Sequence, residues 1–503
     1  MENKIYKQLS KYKKLKKKIV LCHGVFDLLH IGHVTYFEQA KKLGDILVIS
    51  VTDDKYVNKG PLRPVFKINQ RIAFLKKLKI VDIVLKSDFE TAEKIIESVK
   101  PDIYCKGPDY KNKKKKDINL KKEIYVVKKY KGKFVTVEHN TQSSSQIINE
   151  ANLDLNKDDL SRYLGKIRSK YSYSHLISEI KKIQNVKSLV LGEMIIDKYN
   201  FADSVGRSGK DPMMVYRLKE EKSFLGGSGY IANLSSSLAG STNHIFHVGV
   251  KNSQASFIKK MLSKNIKYEM LTKSNSPTIK KLRYVDFYRN NKIIGFYDIN
   301  EEPLSEKEEN LYIKKISEYK NKVDLIILAD YGHGEISNST IQYLQKNHKK
   351  IFINTQLNSF NFGSHNLKKF KKVNTLCVNE GELRFELRDK KSNINNLVMR
   401  YKKSFNCENL VVTQGKFGAT IFSKNNQKFF CPAFDVKPID TIGSGDTLFT
   451  VLSLCLASGI NPELSLLFSS IAAAMSTQNM GNDFNLNNSN LEKNLKSLFI
   501  KQN

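Results

Sequence analysis

The sequence contains no tryptophan and few arginines: 11, against 73 lysines, in a chain of 503 residues with a formal net charge of +34. Proteins that read bases or clamp phosphates favour arginine, because its planar guanidinium makes paired hydrogen bonds. A lysine excess with abundant asparagine and isoleucine is typical of an AT-rich coding sequence. We therefore interpret most of the charge as solvated surface and expect no nucleic acid partner.

Cysteine and long apolar runs are also scarce. The six cysteines are scattered without a Cys-x-x-Cys pair, which predicts reduced thiols in a cytoplasmic protein. The most apolar stretch, residues 447–460, contains serine and threonine and is shorter than the roughly 20 residues of a membrane-spanning helix. The apolar run at 19–25 is too short for a signal peptide. We therefore expect neither a signal peptide nor a membrane partner.

The chain does have enough apolar material for more than one domain. Hydrophobic residues make up 40% of it, and at roughly 100–200 residues per domain its length suggests two to four domains. Short apolar runs alternate with amphipathic segments, which is typical of parallel α/β units. We predict one α/β domain over 1–150, a helical linker over 151–185, and a second α/β domain over 186–503.

The first chemical motif, residues 23–33, lies between the first predicted strand and the first predicted helix. Free N–H groups and the positive end of the dipole at a helix start attract anions, and imidazoles add donors. A glycine allows close approach of a phosphate. Phe26, Asp27, His30, Gly32 and His33 match the FDxxHxGH signature, so the segment resembles the cytidylyltransferase-like family of nucleotidyltransferases.

The resemblance extends beyond this motif. Residues 59–71 contain basic positions of the sugar-phosphate nucleotidyltransferases, residues 106–110 resemble the KGxDY element of ADP-heptose synthases, and residues 141–147 resemble a hydroxyl-rich turn. The family implies attack of a sugar-phosphate oxygen on the α-phosphate of a nucleoside triphosphate, with loss of pyrophosphate. It implies catalytic roles for His30, His33 and Lys59. The implied nucleotide- and phosphate-binding residues are Phe26, Asp27, Gly32, Arg63, Arg71, Lys106, Asp109, Ser143, Ser144 and Ser145.

The second chemical motif, residues 440–446, precedes the most apolar predicted helix. Successive small residues before a helix expose N–H groups that suit a transferring phosphate, and an acid directly after them can accept a proton from an attacking hydroxyl. The segment resembles the DTxGAGD signature of the PfkB/ribokinase family, with Ser444 in place of the usual alanine. This implies Asp446 as the general base, and Gly443, Ser444 and Gly445 as the anion hole.

Other segments resemble the same family. Residues 379–382 match its NxxE element, which implies that Asn379 and Glu382 organise Mg²⁺ through water. Thr413, Gly415 and Gly418 fit its TxGxxG nucleotide loop. The early turn, the first strand and a PTxxKxR segment at 277–283 resemble the kinase half of ADP-heptose synthases. The implied sugar-binding residues are Asp197, Gly226, Gly227, Asn233 and Lys280.

Several positions depart from the pattern of those kinases. Tyr230 stands where they carry a sugar-contacting asparagine, and residues 354–356 read Asn-Thr-Gln where DPK is expected. Glu193 replaces an aspartate, and His333 replaces a lysine of DYGKG. The two domains also come in the opposite order. The departures predict a complete catalytic machinery with a remodelled sugar pocket.

The two resemblances together imply two Rossmann-like three-layer α/β domains, the second ribokinase-like with a small β lid. They imply a bifunctional enzyme of nucleotide-sugar synthesis that forms a homodimer. The kinase would phosphorylate C1 of a heptose 7-phosphate-like sugar. The nucleotidyltransferase would convert a sugar 1-phosphate into an ADP-heptose-like product, after a phosphatase has removed the other phosphate. The implied cofactor is Mg²⁺, and the nucleotide substrate is ATP, or CTP in the nucleotidyltransferase half.

Three alternatives stay open on the sequence alone. The first keeps both chemistries with CTP and another sugar or polyol phosphate. The second makes the kinase half a module that only binds a sugar or nucleotide, although the retained Asp446, Glu382 and glycines argue against it. The third is a basic nucleic-acid binder, which predicts lysines clustered on one face.

Overall fold

The chain divides into two compact units. The computed structural model describes residues 2–27, 29, 31–57, 64, 66–89, 91–107, 118–137, 156–251, 253–358, 361, 367–370, 372–404, 406–424, 427–434 and 438–499. One unit comprises Met1–Lys157 with Ser497–Asn503, and the other Asp158–Lys496. Residues from 158 to 185, which we predicted as a linker, therefore belong to the second unit. Its Tyr171 hydroxyl donates to Glu463 Oε2 at 2.9 Å, which ties this segment to that unit.

The first unit contains a parallel sheet with helices on both faces. Its elements in chain order are α1 (Glu2–Lys14), β1 (Ile19–Gly24), α2 (Ile31–Lys41), β2 (Ile46–Thr52), α3 (Ile68–Leu75), β3 (Ile83–Ser87), α4 (Glu93–Val99), β4 (Ile103–Lys106), α5 (Ile118–Lys129) and β5 (Lys133–Thr136). The described strands are all parallel, in the order β3-β2-β1-β4-β5. The order reverses between β1 and β4, and ligands of such sheets bind at the carboxyl ends beside this point.

The apolar strands of this sheet supply two cores. Every residue from Ile19 to Cys22 and from Ile46 to Thr52 is buried. Successive residues of a strand face opposite sides, so Leu21 packs with Val48 on one face while Val20 packs with Phe37 on the other. Sheets buried on both faces need helices on both sides. The predicted three-layer α/β architecture is thereby confirmed for this unit.

The second unit is larger and contains two sheets. Its elements are α6 (Asn156–Lys170), α7 (Tyr173–Lys181), β6 (Lys187–Gly192), β7 (Met194–Arg207), β8 (Met214–Gly226), α8 (Gly227–Leu238), β9 (Ser241–Gly249), α9 (Ala255–Met261), β10 (Ile266–Lys273), β11 (Ile279–Asp286), β12 (Lys292–Asp298), α10 (Glu306–Ser317), β13 (Leu325–Asp330), α11 (Asn338–Asn347), β14 (Ile351–Thr355), β15 (Lys372–Asn379), α12 (Glu380–Glu386), α13 (Ile394–Ser404), β16 (Asn406–Thr413), β17 (Ala419–Ser423), β18 (Lys428–Cys431), α14 (Ser444–Ala457), α15 (Pro462–Ser476) and α16 (Asn488–Phe499).

The main sheet of this unit has the described strand order β10-β9-β6-β13-β14-β15-β16-β17-β18. It is parallel through β16 and ends in two antiparallel strands. The second sheet, which we call the lid sheet, has the order β12-β11-β7-β8. The predicted ribokinase-like architecture with a small β lid is confirmed.

Two apolar helices complete the core of the second unit. α14 and α15 are buried along almost their whole length and pack against each other. In the described part of the chain, no helix combines the length and the apolar character that a membrane crossing requires. The N-terminus of α14 faces the carboxyl ends of the central strands, where the second motif is found.

Candidate active sites

The first motif forms a tight loop between β1 and α2. Phe26 adopts a left-handed backbone conformation, with φ +49°. Its ring contacts those of Phe37 and His33, with centroids 5.1 and 5.7 Å away. Asp27 is buried, and its Oδ1 accepts the Phe66 N–H at 2.9 Å. Gly32 is buried in the first turn of α2. The loop therefore holds His33 at the start of the helix through packing on Phe26.

Arg71 does not take the role that the sequence predicted. We expected it to bind a phosphate, but it is 1% exposed. Its Nε donates to the Phe66 carbonyl at 2.8 Å, its Nη1 to the Val25 and Thr52 carbonyls, and its Nη2 to Asp54 Oδ1 at 2.6 Å. The guanidinium therefore makes its hydrogen bonds mainly to the segments that follow β1 and β2. Arg71 is a structural residue of the site.

Lys106 lies at the carboxyl end of β4 and is also buried. Its Nζ is 3.6 Å from Glu123 Oε2 and 3.5 Å from the His23 carbonyl. The His23 ring pairs with the Ser50 hydroxyl at 3.1 Å, and burial, reinforced by the Lys106 charge, lowers the pKa of His23 to about 3. A neutral His23 and a charge-paired Lys106 border the motif.

The remaining predicted residues of this site lie outside the described residues. They are His30, Lys59, Arg63, Asp109, Ser143, Ser144 and Ser145. The structure brings Phe26, Asp27, Gly32 and His33 together at the end of β1. The Tyr36 hydroxyl of α2 donates to the Cys105 carbonyl at 2.7 Å, which joins this helix to the strand that carries Lys106.

The second motif lines a cavity of about 660 Å³ within the second unit. The cavity has three parts: a lid end, a middle part at the start of α14, and a far end beside the β16–β17 turn. Its lining includes, from the lid end onward, Asp197, Gly227, Lys281, Arg283, Tyr297, Asn482, Tyr331, Asn354, Asp446, Gly443, Ser444, Gly445, Asn379, Glu382, Thr413, Gly415 and Gly418.

Asp446 occupies the middle part, in the first turn of α14. Its Oδ1 accepts the Tyr331 hydroxyl at 2.7 Å and the Asn354 amide at 2.8 Å. Burial, with a smaller contribution from the Asp197 charge, raises the pKa of Asp446 to about 6. The carboxylate is therefore largely ionised at neutral pH and can accept a proton.

Gly443 shapes the anion hole. Its φ is +78°, and a Cβ added there would lie 2.2 Å from Asn482 Oδ1, so only glycine fits. The following first-turn N–H groups of α14 lack intrahelical acceptors because of their position. Such groups, with the positive end of the helix dipole, bind a phosphoryl group.

Asn379 and Glu382 form the N-terminal cap of α12. The Asn379 side chain accepts the Gly381 N–H at 2.8 Å, and Glu382 accepts the N–H groups of Asn379 and Leu357 at 2.6 and 3.0 Å. Burial raises the pKa of Glu382 to about 7. Within the described residues no cluster of three metal-ligating side chains occurs. The donor set fits a magnesium ion that keeps its own waters and arrives with substrate phosphates.

The far end of the cavity is the turn between β16 and β17. Thr413, Gly415 and Gly418 all line it, as the sequence predicted. A Cβ added to Gly418, whose φ is +100°, would lie 2.1 Å from the Cys431 carbonyl oxygen. The turn therefore requires glycine and exposes backbone to the cavity.

The lid end carries two cations. Arg283 of β11 pairs with Asp197 of β7, and Asp197 Oδ2 also accepts the Asn482 amide at 3.1 Å. Burial lowers the pKa of Lys281, which lies on the same face of β11. A Cβ added to Gly226 would lie 2.3 Å from Asp197 Oδ2, so the early glycine turn makes room for this carboxylate.

Three predicted sugar-binding residues do not line the cavity: Lys280, Asn233 and Gly226. Lys280 does not line it, since alternate residues of a strand face opposite sides and Lys281 occupies the cavity face. The amide of Asn233 is spent on the Met261 carbonyl and the Ser263 N–H, at 3.0 and 2.9 Å. Sequence reasoning missed Arg283, although the PTxxKxR segment contains it. It also missed Asn482, for which no motif gave a signal.

The departures from the kinase pattern now have structural explanations. The Tyr230 hydroxyl pairs with the Thr447 hydroxyl at 2.9 Å, so it is tied to α14. Burial, followed by the Lys281 charge, lowers the pKa of His333 to about 3. Glu193 accepts the N–H groups of Tyr331 and His333 at 2.9 and 3.0 Å, and burial raises its pKa to about 8. Tyr230 and Glu193 thus bond to elements that form the cavity wall, namely α14 and the segment after β13.

Two family models match this chain, one over each motif. Residues 186–488 match the model of the pfkB family carbohydrate kinases, and residues 21–151 match the cytidylyltransferase-like model. The bifunctional protein HldE of Pseudomonas savastanoi pv. phaseolicola is 48% identical over 97 residues, which are 19% of this chain and 20% of that protein. HldE of Nitratiruptor sp. is 40% identical over 122 residues, or 24% and 26%.

These alignments span only about a fifth to a quarter of the length of the curated relatives. Among solved structures, phosphofructokinase-2 from Escherichia coli in complex with potassium is 16% identical, with a TM-score of 0.51. The match covers 62% of this chain and 99% of that one. At this identity the likeness shows the fold of the second unit alone.

Proposed function

This chain belongs to the pfkB family of carbohydrate kinases, and we propose that its second unit transfers the γ-phosphoryl group of ATP to the anomeric hydroxyl of a phosphorylated sugar. One observation carries the proposal: the half-buried carboxylate of Asp446, a helix-terminal anion hole and a cationic lid end share one cavity. The cavity therefore contains a proton acceptor, a site for the transferred phosphoryl group and a positively charged end that can bind the substrate.

Asp446 and the α14 N-terminus would perform the transfer. The sugar hydroxyl gives its proton to Asp446 as its oxygen forms a bond to the γ-phosphorus and the bond to ADP breaks. The N–H groups from Gly443 to Gly445 stabilise the negative charge on the transferring group. Because such reactions depend mainly on positioning and charge neutralisation, this machinery is sufficient.

Lys281 and Arg283 support a phosphorylated rather than a neutral substrate. Asp197 neutralises only Arg283 by direct pairing, so the lid end retains positive charge. A phosphate at the far side of the sugar would neutralise it, and Arg283 can bind phosphate through two N–H groups. Asp197 and Asn482 are the proposed contacts to sugar hydroxyls.

Nucleotide and magnesium would bind at the other end of the cavity. Thr413, Gly415 and Gly418 are the proposed nucleotide contacts. Asn379 and Glu382 would hold the waters of a magnesium ion, which neutralises phosphate charge when bound.

For the first unit we propose nucleotidyl transfer to a sugar 1-phosphate. The phosphate oxygen attacks the α-phosphorus of the nucleoside triphosphate, and pyrophosphate leaves. His33, at the start of α2, would donate a hydrogen bond to the charged phosphoryl oxygens. The match of residues 21–151 to the cytidylyltransferase-like model supports this reaction class.

The two reactions form an ordered pair, because a sugar phosphorylated at C1 is the substrate class of a nucleotidyltransferase. The resemblance to ADP-heptose synthases supports a heptose 7-phosphate as the first substrate and an ADP-heptose as the final product. A separate phosphatase must remove the 7-phosphate between them. The six free, buried cysteines and the nucleotide substrates support a cytoplasmic location.

We further propose that the chain forms a homodimer through the lid sheet. Its edge strands leave large apolar side chains exposed, among them Met214 and Leu218 on β8 and Ile294 and Phe296 on β12. Exposed apolar patches of this kind mark protein interfaces. Sedimentation equilibrium should detect a dimer, and Phe296→Asp should convert it to monomer. A monomeric unaltered chain would exclude this interface.

Product analysis by mass spectrometry tests both activities. The purified chain is incubated with ATP or CTP and a panel of heptose, hexose and polyol phosphates. Asp446→Asn should abolish only the phosphorylated product, and His33→Ala only the nucleotide-sugar.

Each outcome has a defined meaning. An ADP-heptose product supports the proposal, whereas a CDP product from another phosphate identifies the alternative nucleotide and substrate. If neither substitution changes any product, both active-site assignments are wrong. If sugar binds but no phosphorylated product forms with any substrate, the second unit is a binding module.

A further inference from the structure

Two side chains from neighbouring strands hold the same oxygen of Asp446. Tyr331, which directly follows β13, donates its hydroxyl to Oδ1 at 2.7 Å, and Asn354 of β14 donates its amide at 2.8 Å. We propose that Tyr331 and Asn354 are positioning residues that fix Oδ1 and thereby present Oδ2 to the hydroxyl that is phosphorylated. The inference rests on the proposed role of Asp446 as the general base.

The sheet sets the spacing of the two donors. β13 and β14 are parallel neighbours, with Ala329 in register with Asn354 and Asp330 with Thr355. Tyr331 follows Asp330 at the same edge. Both donors therefore rise from the carboxyl ends of adjacent strands toward the first turn of α14, and their separation is fixed by backbone hydrogen bonds.

Tyr331 is itself held at several points. It is 3% exposed, its N–H donates to Glu193 Oε2 at 2.9 Å, and its carbonyl accepts the amides of Asn358 and Asn361 at 2.8 and 3.0 Å. A hydroxyl carried by such a constrained residue loses little further freedom when the substrate binds. Prior ordering of a catalytic carboxylate in this way lowers the entropic cost of reaching the reactive geometry.

The chemistry of residue 354 fits this role. The kinase half of ADP-heptose synthases, which this sequence resembles, carries an aspartate there, and an aspartate would bring a second carboxylate within hydrogen-bond distance of Asp446. Like charges at such a separation compete for one proton. Asparagine instead provides a neutral donor that favours the ionised form of Asp446. The departure at position 354 is therefore compatible with an active base.

The pH profile of phosphoryl transfer tests the proposal, because donors to an ionised carboxylate lower its pKa. The full chain, Asn354→Asp and Tyr331→Phe are compared in kcat/KM for a sugar phosphate, with ATP as donor, from about pH 5 to about pH 9. We expect the acid limb to move upward by about two pH units in Asn354→Asp and about one in Tyr331→Phe. Activity should recover above the shifted limb.

Matched substitutions outside the cavity serve as controls. Asn409→Asp alters a half-buried asparagine of β16 in the same sheet, and Tyr401→Phe alters a buried tyrosine of α13. Both should leave the acid limb unmoved. If Asn354→Asp and Tyr331→Phe instead lower the rate equally at every pH, the two residues have only a structural role and the proposal is wrong.

A second measurement separates this inference from the proposed function. If the unaltered chain phosphorylates no sugar phosphate of the panel, the kinase assignment fails. In that case ¹³C NMR of labelled aspartate carboxyls, with Asp446→Asn to identify the signal, reports the Asp446 pKa directly. An upward shift in both variants supports the positioning role, and an unchanged pKa in both overturns it.

Discussion

The charged side chains of Asp27 and Arg71 in the first unit bond mainly to backbone, whereas those of Asp446 and Arg283 in the second unit face a cavity. Asp27 and Arg71 are satisfied by main-chain N–H and carbonyl groups around the first motif. Asp446 and Arg283 are satisfied by side chains, and both line the space where a substrate would bind. Only the second arrangement lets a ligand exchange with part of the hydrogen-bonding network.

Similar motifs at the start of a helix can therefore surround charged side chains that stabilise backbone in one unit and charged side chains that face a cavity in the other. Both motifs open a helix, so each has an anion-attracting helix terminus. The distinction comes from tertiary partners. A guanidinium surrounded by backbone carbonyls stabilises the fold. A guanidinium paired with a carboxylate in a cavity is a candidate for binding substrate. Substitutions at the two arginines should therefore have different consequences.

The largest expected effect is on stability, from Arg71→Met. The substitution removes hydrogen bonds to three carbonyls and leaves Asp54 without its partner. Breaking a buried charged network of this kind costs about 3–5 kcal/mol. Hydrogen exchange of first-unit peptides in urea should report the loss.

The control is Lys17→Met, which breaks an exposed pair with Asp45 in the same unit and should leave exchange unchanged. If Arg71→Met weakened nucleotide binding with no loss of stability, Arg71 would bind phosphate after all, and the contrast between the units would disappear.

Arg283→Met should act mainly on substrate binding. A charge-assisted hydrogen bond contributes about 1.5–3 kcal/mol, so the KM for a phosphorylated sugar should rise about 10- to 100-fold. The KM for the same sugar without phosphate should change much less. Steady-state kinetics with both substrates measures the difference.

Lys280→Met, on the opposite face of the same strand, provides the control and should leave both KM values unchanged. An equal rise in KM for both sugars would mean that Arg283 shapes the pocket without contacting the phosphate.

The sequence predicted those parts of the sites that are local. Gly443, Asp446 and Gly418 were predicted because each lies in a motif of a few consecutive residues, and all three line the cavity. The three-layer folds were also predictable, since buried parallel strands appear as short apolar runs.

The remaining features depend on contacts between distant parts of the chain. Tyr331 and Asn354 lie 115 and 92 residues from Asp446, and no spacing rule connects them. The burial of Arg71 depends on loops that follow two other strands. Lys281 and not Lys280 lines the cavity, because a shift of one residue in a strand moves a side chain to the other face.

Stability should respond differently to pH in the two units. Burial first, then the charges of Asp330 and Glu335, raises the pKa of Glu193 to about 8. The native second unit therefore keeps a proton that the unfolded chain releases at lower pH, so its stability falls as pH rises toward about 8. In the first unit His23 has a lowered pKa of about 3, so its stability rises with pH only up to the ordinary histidine value and is then flat.

Urea unfolding followed by hydrogen exchange between about pH 6.5 and pH 8 measures how the free energy of unfolding of each unit changes with pH. One group that is protonated in the native state and ionised in the unfolded chain contributes a slope of about 1.4 kcal/mol per pH unit. Glu193→Gln should flatten the slope of the second unit. Glu269→Gln, at a partly exposed glutamate of β10, should not alter it. Equal slopes in both units would remove the electrostatic contrast between them.

The smallest expected effect is that of Ser444→Ala, which restores the residue usual in the kinase motif. The Ser444 hydroxyl donates to the Thr441 carbonyl at 2.7 Å, within its own turn, so the anion hole is made by backbone N–H groups that alanine also provides. We expect kcat/KM within about twofold of the unaltered chain, because the lost hydrogen bond contributes about 1 kcal/mol to the stability of the turn and none to phosphoryl binding. Gly443→Ala is the contrasting control, because its Cβ would lie 2.2 Å from Asn482 Oδ1 and distort the turn. A large loss of kcat/KM in Ser444→Ala would mean that the Ser444 hydroxyl itself contacts the phosphoryl group. The anion hole would then include a side chain as well as the backbone N–H groups that we assign to it.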